Sequence, residues 1–207
     1  MTSNDRGSNF DFLWNGSEKQ WKQALSTPFV QGVKDGSLDA IEFVRYVVQD
    51  SIYLQKMYEV IKKAASKAEE GAMKDFLKLV TTKFKGHYEA AFNRLHINNS
   101  SAIKLDSACQ AYIDFVENAA QNMDTIYFLV SMSPCLKLWA WLGTQIGTNH
   151  GAYNQWVASN FVSGSTLAGI IEFIDKEGEK FDRTKAMEVF KTGMEHEINF
   201  FNSVGKQ

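Results

Sequence analysis

The sequence predicts an all-α protein that folds as one domain. Apolar residues recur at alternating three- and four-residue intervals, which is the spacing of one helix face. The chain contains only two prolines, Pro28 and Pro134, and it has no internal repeat or low-complexity tract. Its 207 residues, of which 44% are hydrophobic, suffice to bury a real core. We therefore expect a single multi-helix bundle over residues 1–207.

Eight segments follow one another with this helical periodicity. They cover residues 9–26, 39–66, 69–96, 104–122, 124–149, 150–161, 165–178 and 183–203. Residues that commonly cap helices precede three of them: Ser37 or Asp39 for the second, Asp124 for the fifth and Asp182 for the eighth. The stretches between helices, such as INNSS (97–101) and VSGS (162–165), have the composition of turns. The chain is thus expected to be helical throughout.

Four of the predicted helices carry clear core-facing stripes. The stripes are Phe43, Val47, Asp50, Leu54, Met57 and Ile61 in the second helix; Leu105, Cys109, Tyr112, Val116 and Ala119 in the fourth; Phe128, Met132, Cys135, Trp139, Leu142 and Ile146 in the fifth; and Met187, Phe190, Met194, Glu197, Phe201 and Val204 in the eighth. Carboxylates are almost never buried unless they are paired. One inward carboxylate is well explained by a structural hydrogen bond, but Asp50 and Glu197 together with Cys135 predict a polar cavity inside an apolar bundle.

A proline lies within the fifth predicted helix, in the stretch SPCLKLW (133–139). A proline inside a helix lacks one backbone donor and clashes with the preceding turn, at a cost of about 3 kcal/mol. Here it would free the carbonyl of Val130 and kink the helix beside the predicted cavity. We therefore expect the surrounding structure to compensate for Pro134.

Composition and charge exclude several classes of protein. The formal net charge is −2 and the 22 Lys and Arg residues form no block, so nucleic acid is not an expected partner. The polar start, MTSNDRGSNFDFLW, has no apolar signal region, and no run of about 18 uncharged apolar residues predicts a membrane span. Two cysteines are too few for a secreted disulfide scaffold, so free thiols and a cytoplasmic location are expected.

Spacing also argues against a metal site. A di-iron helical bundle needs Glu-x-x-His spacing, and no carboxylate stands three or four residues before any of the four histidines. Cys109 and Cys135 lack C-x-x-C spacing as well, so we expect no metal and no cofactor. A buried cysteine is more often a small hydrophobe than a nucleophile, and Cys109 is interpreted in that way. Cys135 stands out because two inward carboxylates accompany it.

Several stretches, in order over nearly the whole chain, resemble the TenA/thiaminase II family. They are TPFVQGVKDGSLDAIEF (27–43), YVVQDSIYL (46–54), AYIDFV (111–116), SPCLKLWAWLG (133–143), YNQWVASNF (153–161) and MEHEINFF (194–201). The resemblance implies the all-helical heme oxygenase-like fold and a homotetramer. It also implies the cysteine-containing branch of the family, which acts on the aminopyrimidine half of thiamin and on its breakdown products.

The same resemblance implies roles for particular residues. Cys135 matches the nucleophile, and Glu197 matches the carboxylate that gives and takes a proton at the ring nitrogen. Asp50 matches the residue that accepts hydrogen bonds from the amino group of the pyrimidine. Three aromatic residues also have matches. Tyr53 matches an aromatic wall of the site, Tyr112 matches a phenol near the thiol, and Phe200 matches a ring that stacks on the substrate.

Two positions depart from the family pattern, because Trp139 and Asn160 stand where tyrosines are usual. Trp139 keeps an aromatic surface with only an N–H donor, and Asn160 keeps hydrogen bonding without a ring. Three functions stay open: a cysteine-dependent aminopyrimidine hydrolase in thiamin salvage, a diverged enzyme or binder for a related heterocycle, and a catalytically silent helical protein. The inward carboxylates favour the first two, and the two departures favour the second over the first.

Overall fold

The computed structural model describes residues 7–177 and 181–203, and within them all regular secondary structure is helical. A 3₁₀ turn, Gly151–Tyr153, precedes the eighth helix. The all-α prediction is confirmed. Ten α-helices follow in chain order: α1 (Asn9–Asn15), α2 (Glu18–Leu25), α3 (Pro28–Asp35), α4 (Ala40–Lys67), α5 (Ala72–Arg94), α6 (Ser107–Asn122), α7 (Thr125–Gln145), α8 (Asn154–Asn160), α9 (Ser165–Lys176) and α10 (Arg183–Phe201).

The predicted first helix, residues 9–26, is wrong as a single element because it divides into α1 and α2. Gly16 and Ser17 lie at the break, where the chain turns closely against α10. A Cβ at Gly16 would lie 2.3 Å from the terminal methyl carbon of Met187, so a larger residue there would require the Met187 side chain to move. The Ser17 hydroxyl donates to the Leu13 carbonyl at 2.9 Å and satisfies the end of α1.

Helix α3 is absent from the sequence prediction, although its boundary signals are present. The Thr27 hydroxyl accepts from the backbone N–H of Val30. Pro28 occupies the first turn, where its missing N–H needs no partner. Gly36 ends the helix in the left-handed conformation, with φ of 75°. The short length of α3 hid it, since eight residues give barely two turns of periodicity.

The predicted caps of longer helices are present with one difference. The Asp39 carboxylate accepts from the first backbone N–H groups of α4, and Asp182 does the same for α10. Asp124 precedes α7 but its side chain makes no capping bond. The predicted helix 165–178 ends at Lys176, and its predicted last residue lies outside the described residues.

Helix α7 lies at the centre of the bundle, in contact with α6, α9 and α10, while α4 packs along α5 and α6. By length and composition α7 could cross a membrane, and so could the bent pair of Gly151–Asn160 with Ser165–Lys176, among the residues described. In α7, 56% of the most apolar stretch is buried inside the protein, as in a core helix. The predicted stripes are largely buried as expected, and Val204 lies outside the described residues.

Pro134 is accommodated by a serine on one side and a glycine on the other. The Ser133 hydroxyl donates to the Val130 carbonyl at 2.8 Å, which replaces the backbone bond that Pro134 cannot make. On α10, a Cβ at Gly193 would lie only 2.7 Å from Cγ of the proline ring. Helix α7 therefore continues through Pro134 and packs closely on α10, which brings Cys135 towards the helix that carries Glu197.

Candidate active site

A cavity of about 210 Å³ opens between α4, α5, α7 and the segment that joins α8 to α9. Five of the eight predicted site residues line it: Asp50, Tyr53, Cys135, Trp139 and Asn160. The other three, Tyr112, Glu197 and Phe200, do not line it, but lie against residues that do. The structure thus gathers residues from five helices around one space.

Glu197 lies directly behind the cavity wall, with only 2% of its surface exposed. The Tyr112 hydroxyl on α6 donates to its Oε1 at 2.7 Å, and the indole N–H of Trp139 on α7 donates to its Oε2 at 3.0 Å. Both carboxyl oxygens therefore have donors from different helices. Because an indole N–H can only donate, Oε2 is held as an acceptor, whereas the Tyr112 hydroxyl can also accept.

Cys135 and Glu197 affect each other's protonation. Burial raises the pKa of the Cys135 thiol well above its ordinary value, and the charges of Glu197 and Asp50 raise it further. Burial also raises the pKa of Glu197, while the hydrogen bonds from Tyr112 and Trp139 and the neighbouring Cys135 thiol act against this rise. The thiol is consequently neutral at rest. A reaction that uses its sulfur must move its proton to a base, and the Glu197 carboxylate is beside it.

Asp50 lines the cavity from α4, and its carboxyl accepts no hydrogen bond from the residues that the structure describes. Burial raises its pKa from 3.8 to about 7, with a further contribution from the charge of Glu197. A carboxyl that is buried without a donor is destabilised in its charged form. A ligand that donates N–H groups would satisfy it, as the amino edge of a heterocycle does.

Aromatic rings surround these polar groups. Tyr53 stands in the cavity wall, and its ring centroid lies 4.8 Å from that of Tyr112 and 6.0 Å from that of Phe200. Phe200 is 2% exposed and packs on the far side of Tyr53, so it supports the wall and is not part of it. Tyr53 and Trp139 are the aromatic faces that a flat ligand would meet in the cavity.

The two departures from the family pattern lie in the same cavity. Trp139 packs on Phe161 with ring centroids 4.7 Å apart, while its N–H donates a hydrogen bond to Glu197. The Asn160 amide donates to the Trp156 carbonyl at 2.7 Å, so one of its donors is used by the backbone. Gly143 allows this segment to approach α7, since a Cβ there would lie 2.2 Å from the carbonyl oxygen of Phe161.

Sequence reasoning missed Tyr46, which lies one helical turn before Asp50. It is 1% exposed, and its hydroxyl has no hydrogen-bond partner in the described part of the chain. Burial raises the pKa of this phenol, and the charges of Asp50 and Glu197 add to the rise. The four-residue spacing from Asp50 was the available signal, since it places Tyr46 on the same face of α4.

Sequence reasoning also missed Lys83 and His87 of α5, which stand at the opening of the cavity. Nothing in the periodicity of α5 distinguishes these two from other polar residues on its surface. As for metals, the described residues include no group of three or more His, Cys, Asp and Glu that could hold an ion.

Comparison with known proteins identifies the family. The model of the TENA/THI-4/PQQC family matches residues 14–206. The chain belongs to this family. The resemblance seen in its motifs is therefore confirmed over almost the whole sequence.

Curated relatives of this chain are distant in sequence. The chain is 25% identical to the thiamine biosynthesis multifunctional protein ThiED of Corynebacterium efficiens, over 94% of this chain and 28% of that protein. It is 24% identical to the aminopyrimidine aminohydrolase of Halalkalibacterium halodurans, over 70% of each. The chain therefore spans little more than a quarter of the length of the multifunctional relative.

Solved structures with low sequence identity to this chain share its fold. A TenA homologue from P. horikoshii OT3 superposes with a TM-score of 0.85 at 22% identity, covering 96% of this chain and 98% of the other. Heme oxygenase-1 from the cyanobacterium Synechocystis superposes with a TM-score of 0.60 at 15% identity, covering 96% and 93%. The predicted heme oxygenase-like fold is confirmed.

Proposed function

We propose that this protein is a cysteine-dependent hydrolase of aminopyrimidines, of the aminopyrimidine aminohydrolase or thiaminase II type. The observation that carries the proposal is that Cys135 and Asp50 line one cavity, with Glu197 directly behind its wall and held by two donors. Curated relatives named aminopyrimidine aminohydrolase support the same class of activity. The substrate would be the aminopyrimidine part of thiamin or of its degradation products.

The first half of the proposed reaction follows from the protonation states. The substrate ring lies between Tyr53 and Trp139, and its amino group donates to the Asp50 carboxylate. The Sγ atom of Cys135 forms a bond to a ring carbon as its proton passes to Glu197. The adjacent ring nitrogen takes a proton from Glu197, so the electron pair displaced by sulfur comes to rest on that nitrogen.

The second half releases the leaving group. The nitrogen electron pair returns into the ring and breaks the bond between the exocyclic methylene and its substituent. The substituent departs with its electron pair and with the proton that the ring nitrogen returns through Glu197. Water then adds to the methylene carbon and loses a proton to the carboxylate. The bond from Sγ to the ring breaks, which restores the aromatic ring, the thiol and a hydroxymethyl product. Glu197 exchanges protons at each step and therefore acts as a general acid and base.

The test is to incubate the protein with 4-amino-5-aminomethyl-2-methylpyrimidine and, separately, with thiamin, and to follow the hydroxymethylpyrimidine product. Cys135→Ala is expected to abolish turnover and keep the helical fold, because cysteine packs as a small hydrophobe. The matched control is Cys109→Ala, since Cys109 is also a free thiol but is buried outside the cavity lining. Turnover by Cys135→Ala at the rate of the wild type would refute the assignment of the nucleophile.

The second candidate function is that of a diverged enzyme or binder for a related heterocycle, and Trp139 and Asn160 favour it. Both line the cavity, and the bond between Trp139 and Glu197 fixes a bulky indole where a smaller phenol is usual. Mismatched polar contacts in a buried site weaken binding by about 1–3 kcal/mol each. On this alternative, the double variant Trp139→Tyr with Asn160→Tyr gains kcat/KM on the usual aminopyrimidine. Full activity in the wild type and no gain in the double variant would exclude it.

A further inference from the structure

The opening of the cavity carries positive charge, in contrast to its acidic interior. Lys83 on α5 lines the cavity at its exposed end, and its Nζ donates to the Ser165 hydroxyl on α9 at 2.6 Å. This hydrogen bond joins the two helices on either side of the opening. Asp50 lines the same cavity from α4, where burial destabilises its charge. The cavity thus has an acidic group inside and a basic group at its mouth.

The charge of Lys83 is not neutralised within the described part of the protein. No carboxylate there forms an ion pair with it, whereas its neighbour Lys85 pairs with Glu89 at 3.8 Å. His87 lies one turn further along α5 in the same cavity wall. Desolvation and the charge of Arg94 lower the pKa of His87, so at neutral pH it is an uncharged hydrogen-bonding group. Lys83 therefore supplies the charge at this opening.

The start of α9 adds donors to the same place. Gly164 and Thr166 line the cavity, and Gly164 precedes the first residue of α9 without a side chain that could cap it. The first backbone N–H groups of a helix carry partial positive charge and favour an acceptor or anion. By itself this would be an ordinary helix end. Beside Lys83, in a cavity that also presents the half-buried Asp50 carboxyl with no described donor, it favours a ligand that carries an acceptor or anion at one end and N–H donors at the other.

Much of the remaining cavity wall is apolar and includes Leu54, Phe84, Leu136 and Leu167. We propose that the ligand of this site is a dipolar molecule: a heterocycle with an amino edge for Asp50, joined by a short apolar link to an anionic group at Lys83. The proposal rests on the proposed function in one respect, because the anionic group would belong to the leaving group that the reaction expels. It deepens that function by assigning charge to the leaving group.

Two pairs of probes test the anionic group and its source. The first pair is the aminomethylpyrimidine acylated with succinate, which ends in a carboxylate, and the same compound acylated with butanoate, which is neutral. The second pair is thiamin monophosphate and thiamin. Dissociation constants are measured by calorimetry with the full chain carrying Cys135→Ala, so that no turnover disturbs binding. Turnover of all four probes by the chain with Cys135 is measured in parallel.

At least one anionic probe is expected to bind about tenfold more tightly than its neutral partner, as a charge-assisted hydrogen bond allows. Lys83→Met should remove that preference and change the Kd of the neutral probe by less than about twofold, because the apolar stem is retained. Lys83→Arg should keep most of the preference. Lys85→Met, on the same helix but outside the cavity lining, should leave it unchanged. The pair that shows the effect identifies carboxylate or phosphate as the group bound.

The outcomes separate this inference from the proposed function. If no probe is hydrolysed and yet an anionic probe binds through Lys83, the proposed reaction fails and the inference stands. If the pyrimidines are hydrolysed but neither anionic probe is preferred, or the preference survives Lys83→Met, the inference is overturned and the reaction stands. If neither probe pair binds, the inference is overturned as well.

Discussion

Trp139 shows how a single substitution can preserve one property of a site and alter another. Its N–H donates to Glu197, so the carboxyl keeps a donor on each oxygen. A phenol hydroxyl in that place could also accept a hydrogen bond, which an indole N–H cannot. A proton exchanged between Glu197 and its neighbours therefore moves to or from Tyr112 or Cys135, and not Trp139. The sequence showed that Trp139 replaces the usual tyrosine. Its hydrogen bond to Glu197 could not be predicted, because it depends on the position of α10 relative to α7.

Asp50 is expected to lower the stability of the protein in the absence of a ligand, and the size of this effect should depend on pH. Its pKa is about 7 in the folded protein against an ordinary value of 3.8, so the folded state binds the proton more tightly. Its contribution to the free energy of unfolding is therefore fully present below about pH 4 and is lost as the pH rises to about 7. Asp50→Asn should be more stable than the wild type by about 1–4 kcal/mol at pH 8.

Urea unfolding at pH 4, 6 and 8 measures this difference. The gain from Asp50→Asn should be small at pH 4 and grow through pH 6 to pH 8. The control is Asp114→Asn on the exposed side of α6, which should show no such trend. A gain that stays constant over this range would contradict a raised pKa for the half-buried, unpartnered Asp50 carboxyl.

Two tyrosines near Glu197 should respond differently to loss of their hydroxyls. Tyr112→Phe removes a donor to a buried carboxyl, and a hydrogen bond to such a group contributes about 1.5–3 kcal/mol. Tyr46→Phe removes a hydroxyl with no partner among the described residues, so its cost should stay below about 1 kcal/mol. Thermal and urea unfolding of the two variants compares them directly. Equal losses would show that Tyr46 takes part in the same network.

At the scale of helices, the close contact between α7 and α10 sets the distance from Cys135 to Glu197. Pro134 interrupts the hydrogen-bond ladder of α7, and Ser133 restores the missing partner of Val130. Gly193 provides the space for the proline ring on α10. A helix breaker in the centre of the fold is thus tolerated because two neighbouring positions are matched to it.

Gly193→Ala tests that contact. Its Cβ would lie 2.7 Å from Cγ of Pro134, so α7 and α10 would have to separate. We expect a loss of about 1–3 kcal/mol in the free energy of unfolding, together with reduced turnover because Cys135 and Glu197 move apart. The control is Gly86→Ala, in the interior of α5, where an added Cβ meets nothing within 4 Å. That change should stabilise the protein by about 0.5–1 kcal/mol.

At the scale of the whole molecule, exposed apolar residues lie on the outer faces of α4 and α5. Ile41, Val44 and Leu79 have 62%, 50% and 53% of their surface exposed, although single exposed apolar residues are common. We propose that these faces help to hold a homotetramer. Light scattering coupled to gel filtration should then report the mass of four chains at micromolar concentration. A monomer under those conditions would contradict the proposal.

The sequence alone determined most of the helices and their inward faces, and it singled out the polar residues proposed for the site. Helical periodicity is local, so stripes of three- and four-residue spacing were enough to place Asp50, Cys135 and Glu197 inside. The prediction was wrong only for short helices, since it missed α3 and joined α1 to α2 as one element. Two turns of chain carry too little periodic pattern, and there the capping residues decide where a helix begins and ends.

Only the tertiary structure decided which of these residues share a space. Tyr112 and Glu197 are 85 residues apart in sequence, and Lys83 and Ser165 are 82 apart, yet each pair is hydrogen-bonded. Periodicity gives the face on which a side chain lies, but not the partner that packing brings to it. The placement of Glu197 behind the wall and of Lys83 at the mouth depends on how helices pack, and steric fit between distant positions such as Pro134 and Gly193 sets that packing.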